Sequence, residues 1–150
     1  MSDLLIRPAT AKDLPALLAL YTHLSPNDPP CPSPLAEERF AQFQNYAGST
    51  IFVGTRDDAL VTSCALVIVP NLSRNGRPYG LVENVVTHRM HRQKGYGTSI
   101  LDAACAHAWA HDCYKVMLMT GSQSTSTLRF YEQAGFTQSK TGFQKRATGF

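Results

Sequence analysis

A mixed α/β domain, with one sheet covered by helices on both faces, is the fold class the sequence predicts. Three observations predict it. Segments of strand length alternate with segments of helical period in the order β, α, α, β, β, β, α, β, α, β; no segment repeats; and the 150 residues are 43% hydrophobic, enough for one core. That length excludes a multidomain machine, and residues 1–150 read as a single domain.

Each element has its own local reason. Leu4 to Arg7 is a short apolar strand that ends at Pro8, and Thr10 can cap a helix starting near Ala11, with Asp13 in its first turn. Leu14, Leu17, Leu18 and Tyr21 then recur at helical spacing. Residues 25–34 hold five of the nine prolines and must form an extended, irregular surface connection. A second helix is expected from about Leu35 to Tyr46, with Phe40 and Phe43 inward and Gly48 as its stop. Ile51 to Thr55 and Leu60 to Val69 are rich in β-branched residues and flank a short turn, which predicts an antiparallel hairpin. After the polar loop NLSRNGRP comes a strand from Tyr79 to His88. A helix follows from about Gly95 to Asp112, with Leu101, Cys105 and Ala108 on one stripe and Ile100, Ala104 and Trp109 beside it. Val116 to Thr120 reads as a short strand, Ser124 to Gln133 as a helix stopped by Ala134 and Gly135, and Phe136 onward as a final strand or hairpin.

Composition narrows function mainly by exclusion. Fourteen Lys and Arg against eleven Asp and Glu give +3, too slight and dispersed for a nucleic-acid platform or a membrane-surface binder. No apolar run reaches membrane-spanning length, and the first residues lack the apolar core of a secretory signal. Cys31, Cys64, Cys105 and Cys113 have no paired short spacing, so a reduced, cytoplasmic protein is expected. His107 and His111 stand four apart on one helix, but Ala108 occupies the place where a zinc protease needs Glu, so no metal is expected.

Chemistry concentrates in the run Arg92, Gln93, Lys94, Gly95, Tyr96, Gly97, Thr98, which follows an apolar strand and opens a helix. The first N–H groups of a helix lack internal partners and carry partial positive charge, and glycines let a ligand approach the backbone, so the run suits a diphosphate. A P-loop would need Lys before Thr98, and the dinucleotide fingerprint would need glycine at Ile100; both fail. A cofactor held mainly by backbone amides, as coenzyme A is, remains. The bland alternative is a purely structural turn.

The run RQKGYG resembles the R/Q-x-x-G-x-G/A signature of the GNAT N-acetyltransferase superfamily, and the later TLRFYEQAGF resembles that family's second hallmark, a helix bearing Phe-Tyr before a Gly-Phe turn. The resemblance runs from Leu4 to Phe143 and implies a mixed, mostly antiparallel sheet of six to seven strands flanked by about four helices. It implies that the backbone of Val85, Val86 and Thr87 pairs with the pantetheine arm of acetyl-CoA, that residues 93–98 cradle its diphosphate with Arg92 beside them, and that Tyr131 is the general acid. Many relatives carry Asn seven residues before that tyrosine; here Ser124 stands in its place. The acceptor is implied to lie between the Ser25 to Pro34 loop and last strands near Thr137 to Lys145. VENVV and CYKV resemble the glucosamine-6-phosphate N-acetyltransferase branch, but the block from Met119 to Tyr131 departs from it, so the sugar is not carried over.

Attack on a thioester needs a neutral amine, a donor for the developing oxyanion and a proton for the departing thiolate. Glu83 and Tyr131 are the candidate base and acid. Strict alternation would place Glu83, Val85 and Thr87 on one face of the strand, with Glu83 acting directly or through water. The expected activity is acetyl transfer to the primary amine of a small molecule. A protein or peptide acceptor is the first alternative and a non-catalytic acyl-CoA sensor the second. The resemblance also allows a homodimer.

Overall fold

The computed structural model describes residues 3–150. Five strands form one sheet in sequence order: β1 (Leu5–Pro8), β2 (Thr50–Arg56), β3 (Ala59–Val69), β4 (Tyr79–Thr87) and β5 (Val116–Leu118). The first four pair antiparallel and β5 joins β4 in parallel, as its connection through a helix requires. The β2–β3 hairpin closes on Asp57 and Asp58, both at positive φ, the conformation whose twist matches the flanking strands.

Helices α1 (Leu14–Tyr21) and α2 (Ser33–Gln44) cover one face, where Leu14, Leu17, Phe40 and Val53 form a core. Helices α3 (Tyr96–Ala110) and α4 (Thr125–Gln133) cover the other, where Phe52, Cys64, Leu66, Val82, Ile100, Leu101 and Ala104 pack. Before α1, the Arg7 guanidinium donates to both carboxylate oxygens of Asp13 at 2.7 and 2.9 Å, and the Thr10 N–H donates to Asp13 at 2.7 Å. This tie fixes the angle between β1 and α1, and it holds the Asp13 carboxyl well below the usual carboxylate range.

Several expectations shift. A single turn of 3₁₀ helix, Ala11–Asp13, precedes α1, and α2 starts inside the proline-rich stretch with Pro34 in its first turn, where a missing N–H costs nothing. On α3, Ile100, Leu101, Ala104 and Ala108 are fully buried, whereas Cys105 is half-buried and Trp109 is exposed. The final strand is absent, so among the described residues the sheet has five strands and not six to seven. A strand needs an apolar face as well as a partner edge, and residues 137–150 supply only the small, exposed Ala147 and two rings, Phe143 and Phe150, both more than 90% exposed. The region expected to wall the acceptor near Thr137 to Lys145 is therefore irregular chain.

Candidate active site

The centre of the site is a break in β4. Ser63 pairs with Val86, yet Ala65 pairs with Glu83, so β4 carries one extra residue opposite Cys64. Asn84 takes up the extra length at φ 52°, in the left-handed region that Asn tolerates better than most residues. The bulge corrects the expectation of simple alternation. Val82 before it and Val85 after it both pack on the α3 core, so Glu83 points to the α1 face while Val85 and Thr87 point toward α3. Glu83 is exposed there.

Pairing between β4 and β5 also stops at Val82 and Leu118. From Glu83 to Thr87 one edge of β4 therefore meets no strand, while the other edge stays held by β3 through Thr62 and Ser63. The Thr62 hydroxyl donates to the Val86 carbonyl at 3.0 Å and lies 2.9 Å from the Thr87 hydroxyl, fixing this stretch although half its ladder is missing. A free backbone edge inside a protein is a ready partner for an extended, amide-bearing chain.

That edge runs directly into the glycine turn. Gln93 and Gly95 lie at φ 61° and 80°, and the first N–H of the run to reach a backbone carbonyl is that of Ser99, which donates to Gly95 at 3.0 Å. The N–H groups from Gln93 to Thr98 are thus gathered at the start of a 15-residue helix. The two glycines have different reasons. A Cβ on Gly95 would meet nothing within 4 Å, so its side faces open space and its positive φ is the local demand. A Cβ on Gly97 would sit 2.9 Å from Phe130 Cζ, so glycine lets α4 close on α3.

Arg92, Gln93, Lys94 and Gly95 are exposed around this turn, and Tyr96, Gly97 and Thr98 are half-buried. Arg92 Nε donates to the Thr87 carbonyl at 3.2 Å, tying the turn to the strand it leaves. Tyr96 stacks on His91, and its hydroxyl accepts from Arg56 at 2.7 Å. Sequence reading missed Arg56, because only the sheet brings the end of β2 beside the first residue of α3.

Closure of α4 carries Tyr131 to the same cluster as Val85, where its ring lies 4.8 Å from Phe130 and 6.4 Å from Phe136. Burial pushes the Tyr131 phenol up, so the hydroxyl keeps its proton throughout the neutral range. Ser124 stands exposed at the N-cap position of α4 with no side-chain bond to the helix backbone, and its hydroxyl lies 2.8 Å from that of Ser126. His107 serves the fold, because its Nε2 lies 2.8 Å from the Gly48 carbonyl and ties α3 to the start of β2. Phe130 and Asn84 are the other two residues that sequence reading left unassigned; an Asn inside an apolar strand is the one signal for the bulge.

A family model described as the acetyltransferase (GNAT) family matches residues 17–136. The chain belongs to the GNAT acetyltransferase family. It is an acetyl-CoA-dependent N-acetyltransferase, and its relatives sharpen the comparison. The acetyltransferase is 32% identical over 136 residues to a glucosamine 6-phosphate N-acetyltransferase of Trypanosoma brucei brucei, with 89% of each chain covered. It is 30% identical over 141 residues to glucosamine 6-phosphate N-acetyltransferase 1 of Oryza sativa subsp. japonica, covering 89% of this chain and 81% of that one. Among solved structures, one of a putative acetyltransferase from Agrobacterium tumefaciens str. C58 superposes with a TM-score of 0.91 at 45% identity, over 95% of this chain and 99% of that one.

Proposed function

We propose that this acetyltransferase moves the acetyl group of acetyl-CoA directly to the primary amine of a small molecule, with an aminosugar phosphate as the first acceptor to test. One observation carries the placement of the cofactor: the unpaired edge of β4 past Val82 leads straight into the free N–H groups of residues 93–98. Val85, Val86 and Thr87 offer the pantetheine arm a backbone edge, and the amides of Gln93 to Thr98, with Arg92 and Lys94 beside them, face the diphosphate. The open space at Gly95 suits the close approach this needs. Bound there, acetyl-CoA supplies the activated thioester.

The chain's own residues then divide the proton work. Tyr131 holds a proton on its hydroxyl and delivers it toward the sulfur side of the slot. Glu83, on the α1 face, takes a proton from the amine directly or through one water. The acid and base thus stand on opposite sides of β4, separated by the bulge. Ser124, at the exposed N-cap of α4, flanks the cofactor side.

The glucosamine 6-phosphate relatives, both at 30% identity or more, support a small, phosphate-bearing amine. Free thiol released from acetyl-CoA, measured across aminosugars, aminosugar phosphates, polyamines, amino acids and peptides, tests this. Acceptor-dependent thiol with a small amine is expected. Thiol only with peptides would overturn the small-molecule acceptor, and tight acetyl-CoA binding without any thiol would overturn transfer itself.

A further inference from the structure

Where α1 ends and β4 gives way to the glycine turn, several basic side chains gather. The His23 and His88 rings are 4.2 Å apart, and His91 follows 5.5 Å from His88. His88 Nδ1 accepts the Met90 N–H at 3.2 Å, so the neutral ring carries its proton on Nε2 and presents a donor. Arg92 spends only its Nε, on the Thr87 carbonyl. Among the described residues, Arg89 makes neither a side-chain hydrogen bond nor an ion pair, and the ion pairs present join Arg7, Arg39, Arg56 and Arg77 to other carboxylates. The acid that acts on this region, Asp57, bears on His91 and is already 3.7 Å from Arg56. His23 is held below its ordinary range by burial first, and then by His88, Arg89 and Arg92.

The cluster thus gathers two guanidiniums and two imidazoles with no carboxylate paired to them among the described residues. Two imidazoles in contact repel when both are charged, and two guanidiniums beside them add to the field, an arrangement that gains most from an incoming anion. Nothing in the fold demands it, since Arg89 is exposed and packs no core. The cluster also stands at the junction of the connection after α1 and the exit of the β4 edge.

We propose that His23, His88 and Arg89, with Arg92 adding to their field from the turn, form a binding site for a phosphate group carried by the acceptor amine of this enzyme. The inference rests on the acetyl-transfer reading above and adds residues to it. The 3′-phosphate of the cofactor carries the same chemistry, and the test separates the two sources.

Inorganic phosphate is the probe, titrated into the full-length protein while the imidazole resonances of His23 and His88 are followed by NMR. Saturable shifts are expected in the free protein, with at least tenfold weaker binding in Arg89→Gln and in His23→Gln. The same titration with saturating CoA or 3′-dephospho-CoA separates the sources. Phosphate admitted alongside both supports an acceptor site, whereas exclusion by CoA alone assigns the residues to the cofactor's 3′-phosphate, exclusion by both assigns them to its diphosphate, and either exclusion overturns the proposal. Absence of saturable shifts in the free protein, or affinity unchanged in both variants, overturns the proposal. Because the probe needs no turnover, failure of the thiol-release assay and failure of this site are read separately.

Discussion

Replacing Gly95 and Gly97 one at a time separates ligand approach from helix packing. At Gly95 the backbone sits at φ 80° with open space beyond, so Gly95→Ala meets no neighbour and costs about 1–2 kcal/mol for the left-handed conformation alone. Gly95→Asn keeps more of that conformation, because Asn tolerates it, and still projects a side chain where the diphosphate approaches. One displaced charge-assisted hydrogen bond is worth about 1.5–3 kcal/mol, so the acetyl-CoA Kd should rise roughly 10- to 150-fold with little change in the urea midpoint. At Gly97 the geometry reverses: the added Cβ lies 2.9 Å from Phe130 Cζ and 3.1 Å from Cε2, tighter than ordinary contact. Gly97→Ala should destabilise by about 1–3 kcal/mol in urea unfolding, and Phe130→Leu in the same chain should restore much of that. Calorimetric titration of acetyl-CoA together with urea midpoints for these variants measures both effects. Wild-type acetyl-CoA affinity in Gly95→Asn would refute the cradle at this turn.

Tyr131→Phe should lower kcat by at least about 100-fold while acetyl-CoA affinity stays within a few-fold, since the proton matters mainly as the thiolate leaves; steady-state rates with a parallel binding titration check this. Glu83→Gln should lower kcat/KM and remove the acidic limb of its pH profile, and a profile that keeps that limb takes the base role from Glu83. Asp13 contributes stability that is fully present above its unfolded pKa of 3.8 and is lost as pH falls through its lower folded value. Asp13→Asn should therefore cost about 2 kcal/mol at pH 7 and progressively less below pH 4, read from urea unfolding at several pH values. Asn84→Gly should keep the bulge and the activity, whereas Asn84→Val, β-branched at φ 52°, should cost about 1–3 kcal/mol and depress turnover.

The turn proposed as the cradle is legible in the sequence because its physics is local. A strand, two glycines and a helix start place free N–H groups together whatever surrounds them, and RQKGYG announces all three parts. The Phe-Tyr helix is equally plain. Less legible are the reason for Gly97, which is a distant ring on α4, and the partner of Tyr96, which arrives from β2. The strand expected after Phe136 does not form because that mainly polar stretch has no buried face to hold it, although the outer edge of β5 is open.

By itself the sequence determined the order of the first nine elements, the family and the glycine turn that opens α3, all consequences of spacing along one chain. Only tertiary structure decided which way Glu83 points. A period of two holds until a residue is inserted, and although Asn84 hints at an insertion, the register between β3 and β4 fixes it. The slot beside β4 has the same origin, since it exists because β5 stops pairing at Leu118, and the meeting of His23 with His88 joins two elements far apart in the chain. Pairing, register and the convergence of like charges are relations between segments, and no single segment carries them.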